Sequence, residues 1–366
     1  MSSPIRSALT SWTALVPVIA LVVLALAWGR GIAGVFVILV TALLAGAVLA
    51  AVHHAEVVAH RVGEPYGSLV LAVAVTVIEV ALIVTLMIGG SGETETLARD
   101  TVFAAVMITC NGIVGLSILV GAFHRSVVSF NAEGSGAALA TVTTLATLGL
   151  VVPNFTTSSP GPQFSPPQLA FAAVTALALY GLFVALQAGR HRDYFLPVTS
   201  TGAVVDDDSH AAPPPARTAL LSLVLLLVAL VAVVGNAKLV SPTIEKAVTA
   251  ANLPLSVVGV IIALLVLLPE TLAAVRAARR HRLQISLNLA FGSAMASIGL
   301  TIPVIAIASI WLPVPLHLGL EPMHIVLLAL TCFVTVLTVV PGRATLLQAG
   351  VHLALLSAYL FLSFSP

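Results

Sequence analysis

The sequence predicts an all-α polytopic membrane protein with eleven transmembrane helices, arranged as one extra N-terminal helix and two inverted five-helix repeats. The composition is the first observation: 59% of the 366 residues are hydrophobic and only 8% are charged, whereas a soluble domain has about 25% charged residues. The second is a series of eleven apolar runs, each long enough to cross about 30 Å of hydrocarbon. The third is a polar linker near the middle of the chain.

The composition also excludes whole classes of protein. A water-soluble enzyme, a disordered chain and a secreted disulfide scaffold are incompatible with it. The formal net charge of +1 gives no indication of a nucleic-acid partner. Cys110 and Cys332 both lie inside apolar runs, so we expect buried thiols rather than a disulfide or a metal pair.

The predicted spans follow one another with short connections. The N-terminal run leads directly into further spans, so we interpret it as a membrane helix rather than a cleaved signal. The eleven runs are Trp12–Trp28, Val35–Val52, Leu69–Ile88, Val102–Ala122, Ala137–Val152, Leu169–Leu186, Leu220–Val234, Leu255–Val275, Ile285–Trp311, Ile325–Val340 and Leu346–Phe364.

The longest stretch outside these runs is residues 188–218, which is rich in proline, aspartate and small residues. Five runs follow it, and five precede it once the first run is set aside. An odd number of spans in each half gives the halves opposite orientations, as in the inverted repeats of many transporters. We therefore predict an extra helix in 1–34, repeats in 35–187 and 219–366, and a cytoplasmic linker between them.

Lysine and arginine placement predicts the orientation, because cytoplasmic loops are enriched in these residues. With a cytoplasmic N-terminus, the external segments contain only Arg30, Arg99, Lys238 and Lys246. The cytoplasmic segments contain the other eleven, which are Arg6, Arg61, Arg125, Arg190, Arg192, Arg217, Arg276, Arg279, Arg280, Arg282 and Arg343. The C-terminus is then external.

Only two of the fourteen acidic residues, Glu79 and Glu270, lie within a predicted span. An ionised side chain at mid-bilayer costs about 2.5–3.5 kcal/mol even on the lenient insertion scale. No predicted span contains a lysine or arginine, so each carboxyl must hold a proton or meet a cation. Each glutamate lies in the second span of its repeat, and inverted repeats bring such spans together near the midplane. We expect the two carboxylates to face one another.

Hydroxyl and amide groups near the two glutamates are candidate supporting ligands for a hard cation. The alternative is that they are small residues for tight helix packing. The candidates are Thr76, Thr109, Asn111, Ser293 and Ser297, and Thr301 continues the stripe of Ser293 and Ser297. Pro269 should interrupt its helix beside Glu270, which either frees carbonyl oxygens for a cation or is a packing kink.

Other polar groups are interpreted as structural or solvated. His352 is expected to hydrogen-bond to a neighbouring helix rather than to pass protons. Asp206–Asp208 with His210 is expected to be solvated linker rather than a cation site. A cluster at the cytoplasmic end of the second span fits either a solvated helix end or a gating element, and consists of His53, His54, Glu56, His60 and Glu64.

Two stretches resemble a known family. The segment from Glu56 to Leu69, continuing to Glu79, resembles the bacterial ChaA-type cation/proton antiporters, in the calcium/proton exchanger branch of the calcium/cation antiporter superfamily. The segment from Pro269-Glu270 through Ala294 is similar to the second signature repeat of that family. The resemblance implies that one glutamate from each repeat, Glu79 and Glu270, binds the cation and that protons compete for it.

The resemblance has departures that bear on the ion. Many calcium/proton exchangers have Gly-Asn shortly before each glutamate, where this chain has Val75-Thr76 and Val266-Leu267. The expected Gly-Ser after the first glutamate is Ala104-Ala105 here, whereas Gly292-Ser293 is present in the second repeat. Fewer amide and carbonyl ligands leave sodium and potassium as candidate substrates beside calcium.

Together with the resemblance, the sequence predicts a non-enzymatic antiporter in the bacterial inner membrane that exports Ca²⁺ in exchange for protons, with Na⁺ and K⁺ as further candidate substrates. Ca²⁺ is a transported substrate, and no other cofactor is expected. An exchanger that carries mainly monovalent cations is the alternative, and an oligomeric pore is a weaker one. An intramembrane metalloprotease would need His-Glu-x-x-His, which the chain lacks.

Overall fold

The computed structural model describes residues 11–32, 34–63, 66–89, 95–123, 125–198, 213–254, 256–311 and 315–365. Within these ranges the regular secondary structure consists of helices and one pair of very short strands. Every predicted apolar run overlaps a helix. The helices are α1 Trp12–Ala27, α2 Val35–Val62, α3 Tyr66–Gly89, α4 Leu97–Ala122, α5 Ala132–Phe155, α6 Pro166–Ala188, α7 Ala216–Ala250, α8 Ser256–Val266, α9 Leu268–Arg279, α10 Leu283–Ala308, α11 Pro322–Val339 and α12 Leu346–Phe364.

The protein is a polytopic membrane protein, because many of these helices can cross a bilayer. In the described part of the chain, eight are long and apolar enough by themselves. The consecutive helices α8 and α9, which meet at an angle of 49°, make a ninth if they form one span. The 16-residue α1 and the apolar part of α3, Val73–Ile88, are shorter. The count of eleven crossings therefore stays a prediction.

Two helices contain π-helical turns that periodicity did not predict. The middle of α4, Ile108–Ile113, is π-helical. The end of α5 is π-helical over Thr147–Val151 and then tightens into a 3₁₀ turn, Val152–Phe155. π-helical turns are rare in proteins as a whole, but those that occur inside α-helices are often found at functional sites.

The strands β1, Val128–Ser129, and β2, Arg343–Ala344, pair in antiparallel register. They lie in two loops that are predicted to be cytoplasmic. The all-α prediction did not include them, because two residues are too few for an alternating pattern to be recognised.

The described residues fall into two compact units that do not follow the predicted halves. The first unit contains α1, α2, α3 and α7, and the pair of α2 and α7 has the most extensive contact in it. The second unit contains α4 to α6, α9 to α12 and most of α8. Each unit thus combines helices from both predicted repeats.

At the centre of the second unit, α4 is the most enclosed helix: 89% of its most apolar stretch is buried. Two glycines of α4 allow α12 to approach closely. A Cβ atom at Gly112 would lie 3.1 Å from the side chain of Leu356, and one at Gly115 would lie 3.1 Å from the Cβ of His352. A side chain at either position would require Leu356 or His352 to shift by a few tenths of an ångström.

The beginning of the predicted linker is fastened to the second unit. A 3₁₀ turn, Arg192–Phe195, follows α6. The amide Nδ2 of Asn288 donates a 2.6 Å hydrogen bond to the carbonyl of Phe195, and the ring of Phe195 packs edge-on against Phe183. Asp206–Asp208 and His210 lie outside the described residues, as does Glu64.

Candidate cation site

In the first unit, Glu79 lies in the middle of α3 and is only 4% exposed. Thr76, one turn earlier, is also 4% exposed. The helix runs without interruption through both residues and packs against α2 and α7. A carboxyl group is therefore enclosed at the centre of an apolar helix, as the sequence predicted.

In the second unit, Glu270 lies in the first turn of α9, immediately after Pro269. The break that Pro269 predicts is present, since α8 ends at Val266 and α9 begins at Leu268 at an angle of 49°. Proline has no N–H, so the carbonyl of Leu265 loses its ordinary helical donor. The positive end of the α9 dipole favours an anionic carboxylate at this position.

The two glutamates therefore differ in their local backbone. Glu79 follows Ile78 in a continuous helix, whereas Glu270 follows Pro269 at a helix start. Their equivalent positions in the two predicted repeats would by themselves imply similar surroundings for the two glutamates. The side chain of Glu270 is also partly exposed, unlike that of Glu79.

The polar stripe of α10 lies in the second unit with Glu270. Ser293 is half-buried, Ser297 is 3% exposed and Thr301 is fully buried. Among the described residues, the hydroxyl of Thr301 has no hydrogen-bond partner. The helix α10 packs against both α9 and the π-helical segment of α4, so Ser293 and Ser297 belong to the helix next to that of Glu270.

Thr109 and Asn111 both lie in the π-helical segment of α4 and are fully buried. The hydroxyl of Thr109 donates within its own helix, to the carbonyl of Ala105 at 2.7 Å. The amide of Asn111 is hydrogen-bonded in two directions, to Thr331 and to His352. The predicted helix–helix hydrogen bond of His352 is therefore present, and its partner is one of the candidate ligands.

Arg99 is predicted to lie in an external segment, but Arg99 and its neighbour Asp100 are each only 5% exposed within the first turn of α4. The guanidinium Nε donates to the carboxylate of Asp100 at 2.7 Å, and its other nitrogens donate to the carbonyl of Gly319 and to Glu321. The adjacent opposite charges just before the apolar run Val102–Ala122 were a signal for such a pair.

The polar cluster at the end of the second predicted span is only partly solvated. His53, Glu56 and His60 are exposed. His54 is 4% exposed, and its Nε2 donates a hydrogen bond to the backbone of Thr13. The solvated-end interpretation is therefore wrong for His54. Cys110 is a buried free thiol, as predicted, and Cys332 is free and half-buried.

Two stretches of the chain, 32–189 and 221–365, match the family described as sodium/calcium exchanger protein. The chain belongs to this family. It is a family of ion exchangers, and the predicted class of cation antiporter is thereby confirmed. No three His, Cys, Asp or Glu side chains within the described ranges form a preformed metal site.

Two relatives resemble nearly the whole chain. The ionic transporter y4hA of Sinorhizobium fredii (strain NBRC 101917 / NGR234) is 46% identical over 332 residues, which are 91% of this chain and 89% of that protein. The sodium-potassium/proton antiporter ChaA of Escherichia coli (strain K12) is 34% identical over 353 residues, 95% of each chain.

Solved structures agree in fold. Native YfkE has a TM-score of 0.70 at 16% identity and covers 96% of this chain and 98% of its own. The H⁺/Ca²⁺ exchanger CAX has a TM-score of 0.67 at 17% identity and covers 95% of this chain and 86% of its own. At these identities the comparison concerns the fold, which is that of a polytopic membrane exchanger.

Proposed function

We propose that this chain is a secondary antiporter that exchanges Ca²⁺, and also Na⁺ or K⁺, for protons at a site to which Glu79 and Glu270 both contribute. The observation that carries the proposal is the enclosed carboxyl of Glu79 in an apolar membrane helix of an exchanger-family protein. Glu270 is its counterpart by position in the second repeat. Its place at a helix start beside Pro269 suits an anion that binds a cation.

The proposed exchange follows from the electrostatics of two carboxylates in a low-dielectric site. Empty and fully ionised, the pair repels itself, so one carboxylate takes up a proton. A cation or protons neutralise the pair, and only then is the site exposed to the opposite side at modest cost. With a proton gradient directed inward, proton entry drives cation efflux.

Hydroxyl oxygens complete the proposed ligand set. Thr76 lies one turn from Glu79, and Ser293 and Ser297 lie on the helix packed against that of Glu270. Thr109 keeps lone pairs on its hydroxyl oxygen after donating to its own helix. Hard cations such as Ca²⁺ are bound by oxygen ligands of this kind.

The proposed topology has eleven spans, an internal N-terminus and an external C-terminus, in a bacterial inner membrane. The family matches on either side of the central linker support two repeats. Contacts between loops support the predicted alternation of cytoplasmic and external loops. The strands β1 and β2 join two loops assigned to the cytoplasm, and the N–H of His317 donates to the carbonyl of Glu95 between two loops assigned to the outside. Reporter fusions at the two termini test this, because both ends on one side would contradict an odd number of spans.

A mainly monovalent exchanger is the second candidate. The name of the Escherichia coli relative, a sodium-potassium/proton antiporter, favours it, as do the positions where Val75-Thr76 and Val266-Leu267 replace Gly-Asn. Everted vesicles with a pH-sensitive dye distinguish the two when Ca²⁺, Na⁺ or K⁺ is added separately. If Ca²⁺ gives no larger response than in vesicles without the protein while Na⁺ or K⁺ does, Ca²⁺ exchange is excluded and monovalent exchange is supported. If no cation gives a response, both candidates are refuted.

A further inference from the structure

A chain of buried polar side chains crosses three helices of the second unit. Each member is at most 2% exposed, and hydrogen bonds of 3.0–3.1 Å connect them in series. In order along this polar chain they are Thr338 of α11, His352 of α12, Asn111 of α4 and Thr331 of α11. The hydroxyl of Thr331 then points at the sulfur of Met107, 3.5 Å away.

The chemistry of the atoms fixes the direction of these hydrogen bonds. The amide Oδ1 of Asn111 can only accept, so Nδ1 of His352 donates to it. In the neutral ring Nε2 then accepts from the hydroxyl of Thr338. That hydroxyl lies 3.0 Å from Nε2 and also 3.0 Å from the carbonyl of Val334, so its one hydrogen is shared between the two acceptors. The amide nitrogen of Asn111 donates to the hydroxyl oxygen of Thr331. Asn111 is therefore held at both ends of its amide.

The position of Asn111 gives this polar chain its importance. Asn111 lies in the π-helical segment Ile108–Ile113, which also carries Thr109. This segment packs against α9 and α10, the helices that carry Glu270 and the serines of the polar stripe. On another side it meets α12, where Gly112 lets the helix approach closely. The polar chain thus fastens the segment that adjoins the second-unit part of the proposed cation site.

We propose that His352 is a positioning residue for cation binding, which acts through Asn111 to hold the π-helical segment of α4 against the helices that carry Glu270 and Ser293. Asn111 then has a structural role, holding this segment in place, and is not a cation ligand. A π-helical turn interrupts the regular hydrogen-bond pattern of the α-helix, and it persists only where neighbouring groups stabilise it. The buried amide of Asn111 supplies that constraint, because leaving it without partners is costly.

The first experiment compares substitutions that remove the hydrogen bonds with substitutions that keep them. His352→Leu and Thr338→Val each break the polar chain, and we expect the KM for the transported cation to rise about 5–10-fold, as for a lost buried hydrogen bond. Turnover at saturating cation should change less than twofold. His352→Gln and Thr338→Ser retain a donor or acceptor and should restore a KM within about twofold of the wild type.

Leu355→Ala on the same helix is the matched control, because it removes buried volume without touching the polar chain. It should lower the Tm and leave the KM unchanged. An unchanged KM for His352→Leu with a lowered Tm would overturn the proposal, since His352 would then be a packing residue. A raised KM that His352→Gln fails to restore would overturn it as well.

A double-mutant cycle distinguishes a structural role of Asn111 from a role as a cation ligand. If Asn111 acts only through this polar chain, His352→Leu and Asn111→Leu together should raise the KM no more than either one alone. Additive effects of the two substitutions would instead make Asn111 a direct ligand and overturn that part of the proposal. Ca²⁺, Na⁺ and K⁺ are the probe cations.

These kinetic readouts rest on the proposed cation exchange, so a readout without transport is needed too. The ring ¹⁵N shifts of the purified protein report the tautomer of His352, whose signal is assigned by its loss in His352→Gln. The hydrogen-bond directions require the Nδ1–H tautomer. A ring in the Nε2–H tautomer would overturn the positioning role, whereas a wild type that exchanges no cation would overturn only the proposed function.

Discussion

The imidazole Nε2 of His54 donates a 3.0 Å hydrogen bond to the backbone carbonyl of Thr13. That carbonyl has no helical donor of its own, because the residue four positions later is Pro17, which lacks an N–H. A proline in α1 and a histidine in α2 thus form one buried contact. A second contact comes from α7, where Asn236 donates to the carbonyl of Ala20 at 3.0 Å. The first helix, α1, is therefore hydrogen-bonded to both α2 and α7 of the first unit.

Replacing His54 by leucine should lower the free energy of unfolding by about 1–3 kcal/mol, because the carbonyl of Thr13 would be left buried without a donor. The neighbouring His53 is exposed, so His53→Leu is the matched control and should change stability by less than about 0.5 kcal/mol. Thermal unfolding in detergent measures both. Equal Tm values for the two variants would mean that the hydrogen bond contributes nothing measurable.

Glu79→Gln and Glu270→Gln should each abolish cation/proton exchange and leave the protein folded and inserted. Glutamine keeps the shape of the side chain but cannot be ionised, so the site loses both cation affinity and a titrating group. Transport in everted vesicles and the elution profile in detergent give the two readouts. Glu133→Gln, at an exposed position, is the control. Near-normal exchange by either test variant would exclude the paired-carboxylate site.

Pro269→Ala should reduce exchange, because alanine restores an N–H and permits α8 and α9 to continue as one helix. Glu270 would then leave the positive end of a helix dipole. Pro242→Ala, in the interior of α7, removes a helix proline far along the chain from Glu270 and serves as the control. If Pro269→Ala exchanges cations at the wild-type rate with the wild-type KM, the break is a packing kink without a role in binding.

Cation affinity should fall as the pH is lowered, because the cation binds the ionised carboxylates and a proton neutralises them. Binding at a fixed pH must accordingly release protons. The two carboxylates are coupled, so the titration belongs to the pair. Calcium or sodium binding to the purified protein at several pH values, with released protons followed by a dye, tests this. Affinity independent of pH, with no protons released, would leave Glu79 and Glu270 as structural residues.

The central linker should be dispensable for turnover if its two anchors are kept. Phe195 is held by Asn288, and the carbonyl of Pro215 accepts the N–H of Ala219 at the start of α7. Replacing 204–212 with a Gly/Ser linker of equal length leaves both contacts intact. Exchange rates should stay within about twofold of the wild type, because changes in surface loops have little effect on the stability of the fold. A large loss with normal insertion would give Asp206–Asp208 a regulatory role.

The helices were predictable from the sequence because each is encoded locally, by an apolar run with polar ends. Glu79, Glu270 and the break at Pro269 were predictable for the same reason: a carboxyl or a proline inside an apolar run stands out. The partners were not. Asn111 and Thr331 lie far apart in the chain, as do His54 and Thr13, and no local pattern records which buried polar groups meet.

Local conformation within helices was also beyond the sequence pattern. The hydrophobic period of the segment Ile108–Ile113 is that of an ordinary helix, although the segment is π-helical. Its neighbours include α11 and α12, which lie far along the chain and leave no local pattern. Arg99 and Asp100 were placed near solvent because charged residues usually end a span. They can be buried in the first turn of α4 because each satisfies the other and Gly319 supplies a further acceptor.

The composition of the first unit has a consequence for biosynthesis. Its helices α1, α2 and α3 leave the ribosome first, but α7, which covers α2, is made only after α4 to α6. At about 5–20 residues per second the delay is on the order of ten seconds. During that time α2 exposes to lipid the surface that α7 will later cover. A chain truncated after α6 would keep that surface exposed permanently, and we expect membrane quality control to degrade it.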